Sequence, residues 1–230
     1  MNTERTTIPD LAPSRQPVRA RHAFTLIELM VVISIIAVLA ALTLGLLKYA
    51  TAQKKVSRIE GEMHKWITLI EYYHDKMGFY PPCNTNNPAL SPLYYELSGT
   101  VFSPTTNRYD VLARPDIVEK TVVALAFSAG GFVNASTDPA EVKRFGTIPE
   151  SDLVIVTNDA WGTAVKLPRV PVLGPGPFWP GPAVDPRPQP TTTNTWYYNS
   201  VNPLHNPNSY DLWAVYYLDG ELRTNGNWKR

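Results

Sequence analysis

Residues Ala23 to Leu47 read AFTLIELMVVISIIAVLAALTLGLL, and Glu28 is the one formally charged residue in the run. About 20 apolar residues suffice for a helix to cross a hydrocarbon core of ~30 Å. A carboxylate inside such a segment costs on the order of 2.5–3.5 kcal/mol on insertion scales, which marks it as a functional site by default. The plainer alternative is a side chain that snorkels to the headgroups. Residues 1–23 precede the helix. They carry Arg5, Arg15, Arg19 and Arg21, show no apolar periodicity and read as a disordered leader. The apolar run exceeds the roughly 7–15 residues of a signal-peptide core, and no cleavage site follows it promptly. Ala23 instead lies before the run, so a protease cutting there removes the leader and keeps the helix.

The helical pattern continues past Lys48. Val56, Ile59, Met63, Trp66, Ile70, Tyr73 and Met77 recur at steps of three and four, which makes one apolar stripe. Lys54, Lys55, Arg58, Glu62 and Lys65 fall off it, and Arg58 and Glu62 are spaced for an i,i+4 ion pair. Gly78 and Pro81-Pro82 end the helix. Residues 24–47 thus read as a transmembrane helix and 48–78 as its amphipathic extension, ~80 Å in all at 1.5 Å per residue. The distal half is expected to pack on the chain's own head, residues 79–230.

The head is read from weaker signals. Residues 79–120 form a loop-rich connection with short helices, one beginning at Ser91-Pro92 and ending at Gly99. Residues 115–129 read as a helix with Ile117, Val118, Val122 and Leu125 on one face, although TVVALAF also suits a buried strand. Leu153–Thr157 and Thr163–Leu167 form a hairpin, and Thr195–Tyr198 and Tyr210–Leu218 are strands. Asp219-Gly220 signals a turn into a short strand at Glu221–Arg223. Nine prolines make residues 168–190 an exposed loop. Trp213, Tyr216, Tyr217 and Trp228 are expected in the sheet core. The fold class is α+β: a long N-terminal helix packed on a small antiparallel β-sheet head.

Composition narrows the function. A net charge of +1 gives no support for a nucleic-acid partner. The single Cys83 rules out an intrachain disulfide. His22, His64, His74 and His205 have no nucleophile or carboxylate at a telling spacing, so no catalytic residue is assigned. The basic residues on the two sides of the span do not decide its orientation. The short, unfolded leader is the part expected to stay in the cytoplasm.

Ala23-Phe24-Thr25-Leu26-Ile27-Glu28-Leu29 resembles the cleavage and methylation motif of type IV pilin-like proteins, which include the pseudopilins of type II secretion. The family ordinarily has Gly where this chain has Ala23. Gly78-Phe79-Tyr80-Pro81 extends the resemblance, and Asp159-Ala160-Trp161-Gly162 is similar to the Asp-Pro-Trp-Gly of major pseudopilins. So do Tyr210-Asp211-Leu212-Trp213, Asp219-Gly220 and Asn227-Trp228, in that order.

The resemblance implies a pilin-like filament subunit without catalysis or cofactor. A prepilin peptidase cuts between Ala23 and Phe24 and methylates the new amine of Phe24. The mature chain waits in the bacterial inner membrane as a single-pass protein with its head in the periplasm. Its further partners are membrane lipid, an inner-membrane assembly platform, copies of itself and other pilin-like subunits. Glu28 finds a cationic partner in the Phe24 amine of a neighbour and sets register. Major pseudopilins hold calcium in an acidic C-terminal loop. Here Asp219 and Glu221 are the only carboxylates after Asp211, and calcium takes six to eight oxygens, so no metal is expected. The missing cysteine pair favours a secretion pseudopilus over a type IV pilus. A membrane-anchored binding protein or enzyme using a prepilin-type signal is the reading from another class.

Overall fold

The computed structural model describes residues 24–112, 114–178 and 190–228, without the side chains of 44–48. The chain divides into two compact units, 1–47 and 48–230. The leader, Ala23 and residues 179–189 of the proline-rich stretch lie outside the described residues.

In the first unit, helix α1 (Leu26–Met77) begins and its described side chains are exposed. Leu26–Thr43 is long and apolar enough to cross a membrane, and none of it is buried within the chain. The hydroxyls of Ser34 and Thr43 donate to Val31 O at 2.8 Å and Ala40 O at 2.9 Å. These two hydroxyls are therefore satisfied inside the helix, as a lipid environment requires.

The second unit is organised around the rest of α1. Ile59, Met63, Trp66, Ile70 and Tyr73 are buried, and Val56 and Met77 pack partly buried beside them. The stripe read from the sequence is the core-facing side. Tyr73 meets Phe145 at 4.7 Å and Phe79 at 5.9 Å between ring centroids. Off the stripe, Lys65 pairs with Asp152, whereas no ion pair joins Arg58 to Glu62. Gly78, at φ 83°, donates its N–H to His74 O at 2.8 Å and ends the helix.

Among the described residues, three small sheets, two short α-helices and a 3-10 turn at Glu150–Asp152 complete the head. Helix α2 (Leu93–Ser98) is buried at every residue. The Ser91 hydroxyl accepts the Leu93 N–H at 3.3 Å, and Gly99 closes the helix at φ 76°. A Cβ at Gly99 would stand 2.4 Å from Val142 Cγ1, so both backbone and space demand glycine. Strands β1 (Thr100–Ser103), β2 (Arg108–Val111), β3 (Ile117–Glu119) and β4 (Ala135–Ser136) form a sheet of order β3-β2-β1-β4. The β1–β4 pair is parallel and the others antiparallel.

This sheet corrects the loop expected over 79–120. Its strands are two to four residues long, too short to carry a readable alternation. The helix expected over 115–129 is also revised. Residues Ile117–Glu119 are strand β3, and helix α3 covers only Lys120–Phe127. Its buried face is Val122, Val123, Ala126 and Phe127, while Ile117 and Leu125 are 48% and 57% exposed.

The later strands follow the sequence reading closely. Strands β5 (Leu153–Thr157) and β6 (Ala164–Pro168) pair antiparallel across a turn in which Trp161 is buried. Strands β7 (Tyr197–Asn199), β8 (Asp211–Leu218) and β9 (Glu221–Gly226) form the third sheet, all antiparallel. Asp219 at φ 53° and Gly220 at φ 83° make the two-residue turn between β8 and β9, whose twist suits a hairpin. Strand β9 runs three residues beyond the expected Arg223.

The described part of 168–190 is not a free loop. Val170 is buried, and backbone bridges tie Arg169 to Thr195 and Gly174 to Thr191. In the aromatic cluster Tyr216 is core, while Trp213, Tyr217 and Trp228 are half-buried.

Candidate functional site

The start of α1 is fixed by its own sequence. Thr25 occupies the N-cap position, and its hydroxyl accepts the Glu28 N–H at 3.3 Å. Glu28 Oε2 in return accepts the Thr25 N–H at 2.8 Å and the Thr25 hydroxyl at 2.7 Å. This reciprocal pair is a capping box, satisfying donors that a helix start leaves open. The carboxylate also stands in the first turn, where the helix dipole favours negative charge. Within a single chain Glu28 is thus held by its own helix terminus. The sequence reading weighed it as a register pin or a snorkelling group, and missed the Thr25-x-x-Glu28 spacing that signals a cap. Phe24, beside it, is 81% exposed.

Two buried carboxylates organise the head. Glu96, on α2, is 1% exposed. Its Oε1 accepts the Val133 N–H at 2.8 Å, and its Oε2 accepts the Asn134 N–H at 2.9 Å and the Tyr73 hydroxyl at 3.2 Å. Burial pushes its carboxyl above the ordinary value, and the two backbone N–H groups and Tyr73 act in the opposite direction. Asn134 completes the joint by donating to Glu96 O at 2.7 Å and Lys143 O at 2.6 Å. Glu96 thereby ties α2 to α1 and to the segment before β4. It has no sequence signature, since its partners lie 23 to 38 residues away.

Asp211 opens β8 and is equally buried. Its Oδ2 accepts the N–H groups of Leu204 at 2.7 Å and His205 at 2.9 Å, and its Oδ1 accepts the Asn206 N–H at 3.0 Å. Asn227 joins the knot from beyond β9, its Oδ1 accepting the Leu212 N–H and its Nδ2 donating to Tyr210 O, both at 3.0 Å. The His205 ring stacks on Trp228 at 3.8 Å, and its Nδ1 lies 3.2 Å from Asp211 Oδ2. The carboxylate oxygens of the Tyr-Asp-Leu-Trp motif are spent on the protein's own loop. Among the described residues no group of three or more His, Cys, Asp or Glu stands together as metal ligands.

Gly78-Phe79-Tyr80-Pro81 has a comparable structural use. Tyr80 stacks on His74 at 4.2 Å, and Pro81 O accepts the hydroxyls of Tyr198 at 2.9 Å and Ser200 at 2.8 Å. The Cys83 thiol is half-buried and faces Asn199 Oδ1 at 3.6 Å.

Residues 18–44 match the prokaryotic N-terminal methylation motif. The match spans the end of the leader, the Ala23–Phe24 junction, the Thr25–Glu28 cap and the membrane-length helix. It indicates a type IV pilin-like chain processed by prepilin peptidase. The motif and the apolar helix behind it, the one of membrane-spanning length among the described residues, fit a single-pass membrane anchor. No curated protein and no solved structure matches the chain.

Proposed function

We propose that the chain is a non-catalytic structural subunit of a type II secretion pseudopilus. Prepilin peptidase removes residues 1–23, cutting between Ala23 and Phe24, and methylates the Phe24 amine. Residues 24–47 then form the anchor and filament core, 48–78 the amphipathic extension, and 79–230 the periplasmic head. The observation that carries this reading is the methylation motif over residues 18–44, whose one acidic residue sits in the first turn of an exposed apolar helix. The single cysteine supports secretion over a pilus, because it leaves no disulfide within the head.

The chemistry of assembly follows from the cap. A carboxylate brought among packed apolar helices needs a cationic or hydrogen-bonding partner. Within one chain Thr25 supplies hydrogen bonds but no charge. A neighbouring Phe24 amine supplies the charge, so the matched register is favoured over registers that leave Glu28 unpaired.

Glu28→Ala in the producing cell tests this. Membrane anchoring is retained and incorporation into filaments is lost. Incorporation at the wild-type level with anchoring intact overturns the assembly role. Loss of protein secretion, without loss of surface fibres, on deleting the chain identifies the secretion machine.

A further inference from the structure

The positive charge of the head is unevenly neutralised. Lys65, Lys76, Arg108, Arg114, Lys166 and Arg223 each have a carboxylate partner within the chain. Lys54, Lys55, Arg58 and Arg169 have no ion pair and no side-chain hydrogen bond among the described residues. The first three share two turns of α1 and are exposed. Arg169 is half-buried, and its backbone is fixed from both sides. Its N–H donates to Asp152 O at 2.8 Å, and its carbonyl accepts the Trp196 indole N–H at 3.0 Å. A partly desolvated guanidinium without an acceptor is costly, so such a group marks a place for an anion.

Lys55 and Arg169 line one cleft of about 270 Å³. Pro171, Leu173 and Tyr217 give it an apolar wall, Thr192 adds a hydroxyl-bearing residue, and no acidic residue among the described ones lines it. Cations beside an apolar wall suit an amphiphile better than a free inorganic anion. Lys55 also follows Thr43, the last residue of the membrane-length window, by only twelve positions. At no more than about 3.5 Å per residue, those twelve positions limit the reach from Thr43 to Lys55 to about 42 Å. Basic residues clustered next to a membrane span attract anionic headgroups.

The geometry points to a binding site for the headgroup phosphate of an anionic phospholipid, held by Lys55 and Arg169. The phosphate takes the Arg169 fork and the Lys55 ammonium, and the glycerol and first acyl carbons lie along Pro171 and Leu173. The site rests on the membrane-anchored reading for its lipid source, and it needs no filament.

Native mass spectrometry of the full chain in non-ionic detergent tests it, with phosphatidylglycerol, phosphatidylcholine and inorganic phosphate as probes. The wild-type chain retains phosphatidylglycerol over phosphatidylcholine by about thirtyfold, the scale set by two basic residues at an anionic surface. Lys55→Gln with Arg169→Gln abolishes that preference, Arg169→Lys keeps the charge but loses the fork and so keeps only part of it, and Lys143→Gln leaves it unchanged. Lys55→Gln alone, on an exposed helix face, weakens it without endangering the fold. Equal retention of the two lipids by the wild type overturns the proposal, as does a preference that survives the double substitution. Displacement of the lipid by millimolar inorganic phosphate shows a free-anion site and also overturns it. Failure here leaves the Glu28 assembly test untouched, because no assembly occurs in the micelle.

Discussion

The Tyr73 hydroxyl donates to the Glu96 carboxylate at 3.2 Å, linking the last buried aromatic of the α1 stripe to a fully buried acid on α2. This bond fixes the rotation of α1 within the head. Apolar packing is non-directional, whereas a buried hydrogen bond has one satisfied geometry. Tyr73→Phe removes the donor but leaves Oε2 with the Asn134 N–H. It is expected to cost about 1–2 kcal/mol, the range for losing a hydrogen bond to a charged or buried acceptor. Chemical denaturation of the full chain in detergent reads this. A loss indistinguishable from zero contradicts the role given to the bond.

The same acid gives the head a pH signature. Burial raises the Glu96 carboxyl above the ordinary 4.5. A group whose folded pKa is raised stabilises the fold most below its unfolded value, and that contribution is lost as pH rises through the folded value. The stability of the wild type relative to Glu96→Gln is therefore greatest near pH 4 and declines as pH climbs from about 4.5. Parallel melts of the two proteins over this range provide the check. A difference that grows with pH reverses the sign and rejects the burial argument.

Asp211 is expected to matter more for loop order than for the sheet. Asp211→Ala strips acceptors from the N–H groups of Leu204, His205 and Asn206. Each half-buried donor left without a partner costs roughly 1–3 kcal/mol, less whatever water repays. Hydrogen exchange should rise sharply over 203–210 and little at Tyr216, in the middle of β8. Unchanged protection of 203–210 shows that the loop is held by other means.

How far the sequence reveals the structure depends on the reach of each interaction. The α1 stripe is legible because helical periodicity over 56–77 is a local signal repeated several times, and every buried member was named by spacing alone. The Asp219-Gly220 turn is legible for the same local reason. The β1–β4 sheet is not, since its strands are short and its parallel pair joins Thr100 to Ala135 through 34 intervening residues. Leu125 looks like a core residue in a string of apolar letters, yet it faces outward because Val122, Val123 and Ala126 take the buried side. At the N-terminal site, the charge and position of Glu28 were visible in the sequence. Its capping partnership with Thr25 needed the hydrogen-bond geometry to be recognised. Glu96 was invisible, because only long-range packing turns that glutamate into an anchor.

The proposed function requires that the chain be cut and modified at the start of its apolar helix. Intact-mass measurement of the membrane-extracted protein tests it most directly. The expected product begins at Phe24 and carries one additional methyl group on its amine. A chain from membranes that still begins at Met1, or one cut beyond the apolar helix, contradicts it.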